Sequence, residues 1–123
     1  MATLNDRVLD NGLTVLDTEA NRVDICSQEP ASYAEATSTY TLGNETSISI
    51  SAPADASPNG RKVTLAAVSG ASVTGTGTAT HYAISDTGNS RLLATGSLSA
   101  SQVVTSGNTF SLTASDIRIP DPA

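Results

Sequence analysis

The chain has 123 residues, 12 of them acidic and 6 basic, for a net charge of −6. That length holds one domain with a modest core, and an acidic, nearly aromatic-free surface argues against direct binding of nucleic acid or of an anionic membrane. A single cysteine, Cys26, excludes an internal disulfide and any zinc site built on paired cysteines.

The charge is unevenly spread. Residues 1–60 hold nine acidic against two basic residues, net −7, whereas residues 61–123 hold three against four, net +1. Ser, Thr and Ala number 17 each, and the aromatics are Tyr33, Tyr40, Tyr82 and Phe110. So thin a core gains from burial against neighbouring subunits, which makes self-association an expectation before any motif is considered. The opening residues run straight into charge without the apolar run of a signal peptide, and no stretch approaches the ~20 apolar residues that span a bilayer. The expected place of assembly is a cytoplasm.

In chain order, residues 3–9 suit either a short helix capped by Thr3 or an extended arm, because Val8, Leu9, Leu13, Val15 and Leu16 follow neither period. Residues 21–27 read as a strand with Val23 and Ile25 inward and Arg22, Asp24 and Cys26 on a wet face. Glu29-Pro30 ends it, and residues 32–36 suit a single helical turn. Residues 46–51 alternate strictly, and the loop that follows closes on Ser57-Pro58-Asn59-Gly60, where proline fixes one φ and glycine permits a positive one. Residues 61–68 form the next strand, with Val63 and Leu65 inward.

The longest pattern spans residues 73–85. Thr74, Thr76, Thr78, Thr80, Tyr82 and Ile84 fall on one face, and Val73, Gly75, Gly77, Ala79, His81 and Ala83 on the other. A turn over residues 86–90 and an extended run over residues 91–98 complete a hairpin. Residues 109–113 and 117–119 close the chain's strands, stopped by Pro120 and Pro122. The fold class expected is all-β, an antiparallel β-sandwich or jelly-roll-like domain. Residues 1–44 would be a partly irregular N-terminal arm with one strand and a short helical turn, and residues 45–123 the sandwich. Its core should hold Val23, Ile25, Ile48, Ile50, Val63, Leu65, Tyr82, Ile84, Phe110, Leu112, Ile117 and Ile119.

Reactive chemistry is sparse. Asp86-Thr87-Gly88 has the form of an aspartic-protease carboxylate, but the triplet is also ordinary hairpin-turn chemistry. His81 has no cluster of ligands in its pattern, and Cys26 reads as a reduced cysteine packed like a small apolar residue. Residues 75–80 are glycine-rich but lack the Lys-Ser/Thr ending and the following helix of a phosphate loop. The expectation is no enzyme and no cofactor.

Several segments together resemble a family of small structural proteins encoded in the head–tail gene blocks of tailed bacteriophages. They are Val23-Asp24-Ile25-Cys26-Ser27-Gln28-Glu29-Pro30, Ala52-Pro53-Ala54-Asp55, Gly60-Arg61-Lys62-Val63, Gly77-Thr78-Ala79-Thr80-His81-Tyr82-Ala83 and Asp116-Ile117-Arg118-Ile119-Pro120-Asp121. The resemblance runs from about residue 13 to 121. It implies a virion component: a decoration or cement protein on the outer capsid surface, bridging subunits of the major capsid protein, or else a neck, tail or fibre-base component. A soluble ligand-binding β-sandwich is the alternative of another class.

A self-associating chain, with a trimer favoured, follows from the thin core and the naked edge of the threonine-rich strand. The contact with the partner is expected from the acidic first part of the chain. Leu4, Leu9, Leu13 and Leu16 would supply affinity, while Asp6, Asp10, Asp17, Glu19, Glu29 and Glu35 would set orientation against basic groups.

Overall fold

The computed structural model describes residues 3–4, 12–46, 48–56 and 60–119. The described strands are β1 (Thr3–Leu4), β2 (Arg22–Cys26), β3 (Thr41–Glu45), β4 (Ala54–Asp55), β5 (Arg61–Leu65), β6 (Val68–Val73), β7 (Gly77–Asp86), β8 (Arg91–Val104), β9 (Thr109–Leu112) and β10 (Ser115–Ile119). A one-and-a-half-turn helix, α1 (Thr14–Glu19), precedes β2, and a π-helical turn (Glu35–Thr39) precedes β3. Every ladder is antiparallel: seven strands in the order β1-β8-β7-β2-β3-β6-β9 make a large curled sheet, and β10-β5-β4 a small one. The all-β, sandwich-like architecture is as the alternating patterns dictate.

One apolar cluster fills the space between the sheets. Val63, Leu65 and Ile117 of the small sheet meet Val23, Ile25, Ile84, Leu93 and Phe110 of the large one. Ile48, Ile50, Tyr82 and Ile119 pack against this cluster while partly exposed. Eight of the twelve residues that the period-two patterns turn inward are buried in this core and the other four pack at its margin, because a strand buried on one face has its register fixed by that face. Residues 49–51 do not form a regular strand, yet they lie along β5: Ile50 bridges Leu65, and Ser51 N–H donates to the Thr64 carbonyl at 3.0 Å.

Three departures have physical causes. Of Arg22, Asp24 and Cys26 only Arg22 reaches water, and that in part: Asp24 and Cys26 are fully buried, because the π-helical turn folds over that side of β2 and packs Ala36 against Cys26 and Ala83. Arg22 donates from Nε and Nη2 to the two oxygens of Asp24 at 2.8 and 2.9 Å, and Thr41 Oγ1 donates to Asp24 Oδ2 at 2.7 Å. Second, the described residues before 45 are no appendage. β2 lies between β7 and β3 inside the large sheet, and α1 sends Leu16 into the core.

Third, the threonine-rich stretch does not keep one face throughout. At its start the small residues turn inward: Val73 and Ala79 are buried, and Gly75 and Gly77 lie against the Leu42 side chain, whereas Thr74, Thr76 and Thr78 are exposed. Further on, Tyr82 and Ile84 are the core residues. The change of side falls beside a register shift in the β7–β8 ladder between Ala79 and His81. Irregularities of this kind re-aim the side chains that follow.

Glycine is demanded where an aromatic ring crosses a neighbouring strand. A Cβ on Gly43 would lie 2.6 Å from the Ser72 carbonyl oxygen and 2.9 Å from the Phe110 ring. Phe110→Ala should cost about 3–5 kcal/mol and Gly43→Ala about 1–3 kcal/mol, read from urea unfolding midpoints at unchanged m. Arg22→Ala should cost about 3–5 kcal/mol, since it leaves the buried Asp24 carboxylate without its counter-charge. A loss under about 1 kcal/mol in the same experiment would mean that the carboxylate is not held as described.

Candidate functional site

The curl of the large sheet brings two of its strands together at a seam. Gln102 of β8 donates from Nε2 to the carbonyl of Ser111 in β9 at 3.1 Å. Beside this bridge lies a cleft of about 570 Å³. Its apolar lining comes from Leu65, Val68, Tyr82, Leu98 and Leu112, and hydroxyls of Ser97, Ser99, Ser111 and Ser115 stand around it. No charged side chain lines it. The Tyr82 ring lies across Gly96, where a Cβ would come within 2.6 Å of it.

One lip of the cleft is irregular for a definable reason. Ala79 pairs with Gln102 and His81 with Ser97, so residues 98–101 of β8 stand opposite Thr80 alone. These extra residues bulge from the ladder. On the side of β8 away from β7, β1 covers only Ala94 and Thr95.

The residues expected to contact a partner are not gathered into one site. Leu13 and Leu16 are buried in the core, where they serve packing and are not available to a partner in this fold. Asp17 and Glu19 are half-buried on α1, and Glu19 pairs with Arg91 at 3.3 Å, tying the helix to the start of β8. The backbone of Leu4 pairs with Ala94 in β1, while Asp6, Leu9 and Asp10 lie outside the described residues. Among the further acidic residues, Glu29 accepts from Thr95 Oγ1 at 3.0 Å and Glu35 from the Ala31 amide at 2.8 Å.

The candidate reactive groups are occupied by structure. Asp86 accepts from the Gly88 amide at 3.0 Å and from Asn89 Nδ2 at 2.7 Å, which closes the β7–β8 hairpin. Cys26 and His81 are directly opposite in the β2–β7 ladder. The thiol donates to the Ala36 carbonyl at 3.7 Å and His81 Nδ1 lies 2.9 Å from Thr80 Oγ1, so neither contact joins the two. Burial, the largest cause, together with the nearby Asp24 pushes the thiol up to about 12, so at neutral pH it is not a nucleophile. Among the described residues no group of three or more His, Cys, Asp or Glu could hold a metal ion, and no helix is long and apolar enough to cross a membrane.

The cleft had a trace in the sequence. Residues 63–85 and 92–115 contain no Asp, Glu, Lys or Arg, and those two stretches supply every residue that lines it. An uncharged run of that length marks a surface unlike the rest of the chain, although it does not locate a cavity.

The native thiol should resist iodoacetamide at neutral pH and react only on unfolding. As pH rises above 9.0 the unfolded thiol ionises while the buried one does not, so stability should fall by up to about 1.4 kcal/mol per pH unit until about 12. Cys26→Ala should remove that component of the alkaline slope; an identical slope in the variant would assign it to other groups.

Comparison with protein-family models, with curated proteins and with solved structures finds no match for this chain.

Proposed function

We propose that the chain is a structural component of a tailed-bacteriophage virion, a decoration protein that sits on the outer capsid surface, bridges major capsid subunits and associates with copies of itself. The observation that carries this reading is how the polar chemistry is distributed. The described ion pairs hold strands and turns together, as in Arg22–Asp24, Glu19–Arg91, Arg61–Asp55 and Lys62–Asp116. The distal halves of β7 and β8, with the loop before β7, present a hydroxyl-rich and uncharged surface, with Thr74, Thr76, Thr78 and Ser101 exposed beside Val103. Such a surface suits broad, low-energy contact repeated at many sites, where multivalency supplies the overall affinity. The resemblance to phage structural proteins supports the same reading.

A second reading is favoured by the cleft. About 570 Å³ falls in the range of small-ligand sites, and a neutral hydroxyl rim over an apolar floor would take an uncharged ligand. Tyr82 is the one aromatic in its lining, which leaves little stacking surface for a sugar.

The two readings part on stoichiometry. In purified particles the chain should be present in numbers comparable to the major capsid protein, as measured by quantitative gel or mass spectrometry. A few copies per particle would point to the neck, tail or fibre base, and failure to co-sediment with particles would favour the ligand-binding module. Asp6→Asn with Asp10→Asn should weaken decoration of bare particles at low salt and matter less at high salt, as expected of charges that steer encounter.

A further inference from the structure

The large sheet curls towards a barrel without closing it. β8 and β9 meet at the seam but do not pair as strands, and Gln102 Nε2 bridges them by donating to the Ser111 carbonyl. The cleft lies beside this seam, and its floor is continuous with the core, because Leu65, Val68 and Leu112 belong to both. The mouth of a β-barrel is a recurrent place for a small ligand. One polar group distinguishes the floor from a plain apolar gap. Gly96 is buried and has no side chain, so Cε2, Cζ and Oη of Tyr82 occupy the place where its Cβ would stand, next to Ser97 and Leu98 of the lining. Burial alone holds that phenol above its ordinary range, with no hydrogen bond or charge from a described residue contributing. A hydroxyl withdrawn from water and left without a partner costs free energy that a bound polar group would recover.

Resting on the second reading of the cleft, we propose that it binds a small aliphatic molecule with one neutral polar end, the body lying on Leu65, Leu98 and Leu112 and the polar end sharing a hydrogen bond with Tyr82 Oη. The lining selects this class by exclusion and by match. An ionic end would leave water for a cleft whose lining offers no counter-charge, which is strongly disfavoured. A wholly apolar molecule would cover the floor and leave the phenol unmatched. A neutral hydroxyl matches it in either sense, because the phenol can donate or accept. The serine hydroxyls of the rim stay hydrated around the mouth, so binding does not strip them of water.

Titration calorimetry of the full-length chain with octanol, octanoate and octylammonium at neutral pH tests this. Octanol should bind saturably, one molecule per chain, and the two ions about tenfold more weakly or worse. Tyr82→Phe, which removes only the unmatched hydroxyl, should weaken octanol by about threefold to tenfold. Ala100→Phe and Ala67→Phe place a ring in the cleft from two exposed positions of its lining, and each should abolish binding. Thr39→Phe, exposed on the π-helical turn, should leave binding unchanged, and thermal melts of all four variants should follow the native one. Octanol binding that both ring-bearing cleft variants leave intact would overturn this site. Ions bound as tightly as octanol, or an unchanged affinity in Tyr82→Phe, would overturn the assigned chemistry while the ligand-binding reading stands. Octanol affinity that falls as the protein is concentrated and self-associates would give the cleft to a second copy instead. No saturable binding of any of the three would overturn the inference and the second reading together.

Discussion

A buried carboxylate at the centre of the large sheet sets the rest of the structure. Asp24 lies in β2, with three strands beyond it on one side and three on the other. Removing a carboxylate from water costs several kcal/mol unless its oxygens are matched. Here they are matched: Arg22 forks onto both, Thr41 of β3 donates to one, and the Arg22 guanidinium also reaches the Thr37 carbonyl at 3.5 Å. The clamp thus joins β2, β3 and the π-helical turn. By holding that turn over the outer face it buries Cys26 and Ala36, so the central strand is covered on both sides.

The core around this clamp is built from medium-sized aliphatic residues, and its two inward aromatics are accommodated by glycine. Phe110 lies over Gly43 and Tyr82 over Gly96. Each ring covers a cross-strand site where no side chain could stand, which lets a chain rich in Ser, Thr and Ala still close its interior. Tyr82 has a second consequence, because the same ring lines the cleft and so links the packing of the hairpin to the shape of the exposed seam.

Charge and neutrality are segregated in space as they are along the chain. Ionic pairs concentrate on α1, on β2 and on the outer face of the small sheet, where Asp116 accepts from both Lys62 and Thr64. The distal halves of β7 and β8, with β6 and β9, carry none. Fixed charges there would have to be desolvated on contact with another subunit, whereas hydroxyls and short aliphatic groups are covered at little cost. That division is the physical basis of the proposal that the molecule is a component of an assembly.

Period-two alternation was enough to determine the all-β class, the β7–β8 hairpin with its Asp-Thr-Gly turn, and the eight buried core residues from Val23 to Ile117, with Ile48, Ile50, Tyr82 and Ile119 at the core's margin, because strand side chains alternate and the buried face must be apolar. It misassigned Asp24 and Cys26, since a polar residue facing a covering turn has the same local pattern as one facing water. It also gave Leu13 and Leu16 to a partner: the six-residue helix α1 is too short to show a period, and only its docking in the core reveals the role of those leucines. The cleft lay beyond sequence for a related reason. It arises where β8 and β9, apart in the strand order, meet through curvature, and the curl of a sheet is a property of all its strands together.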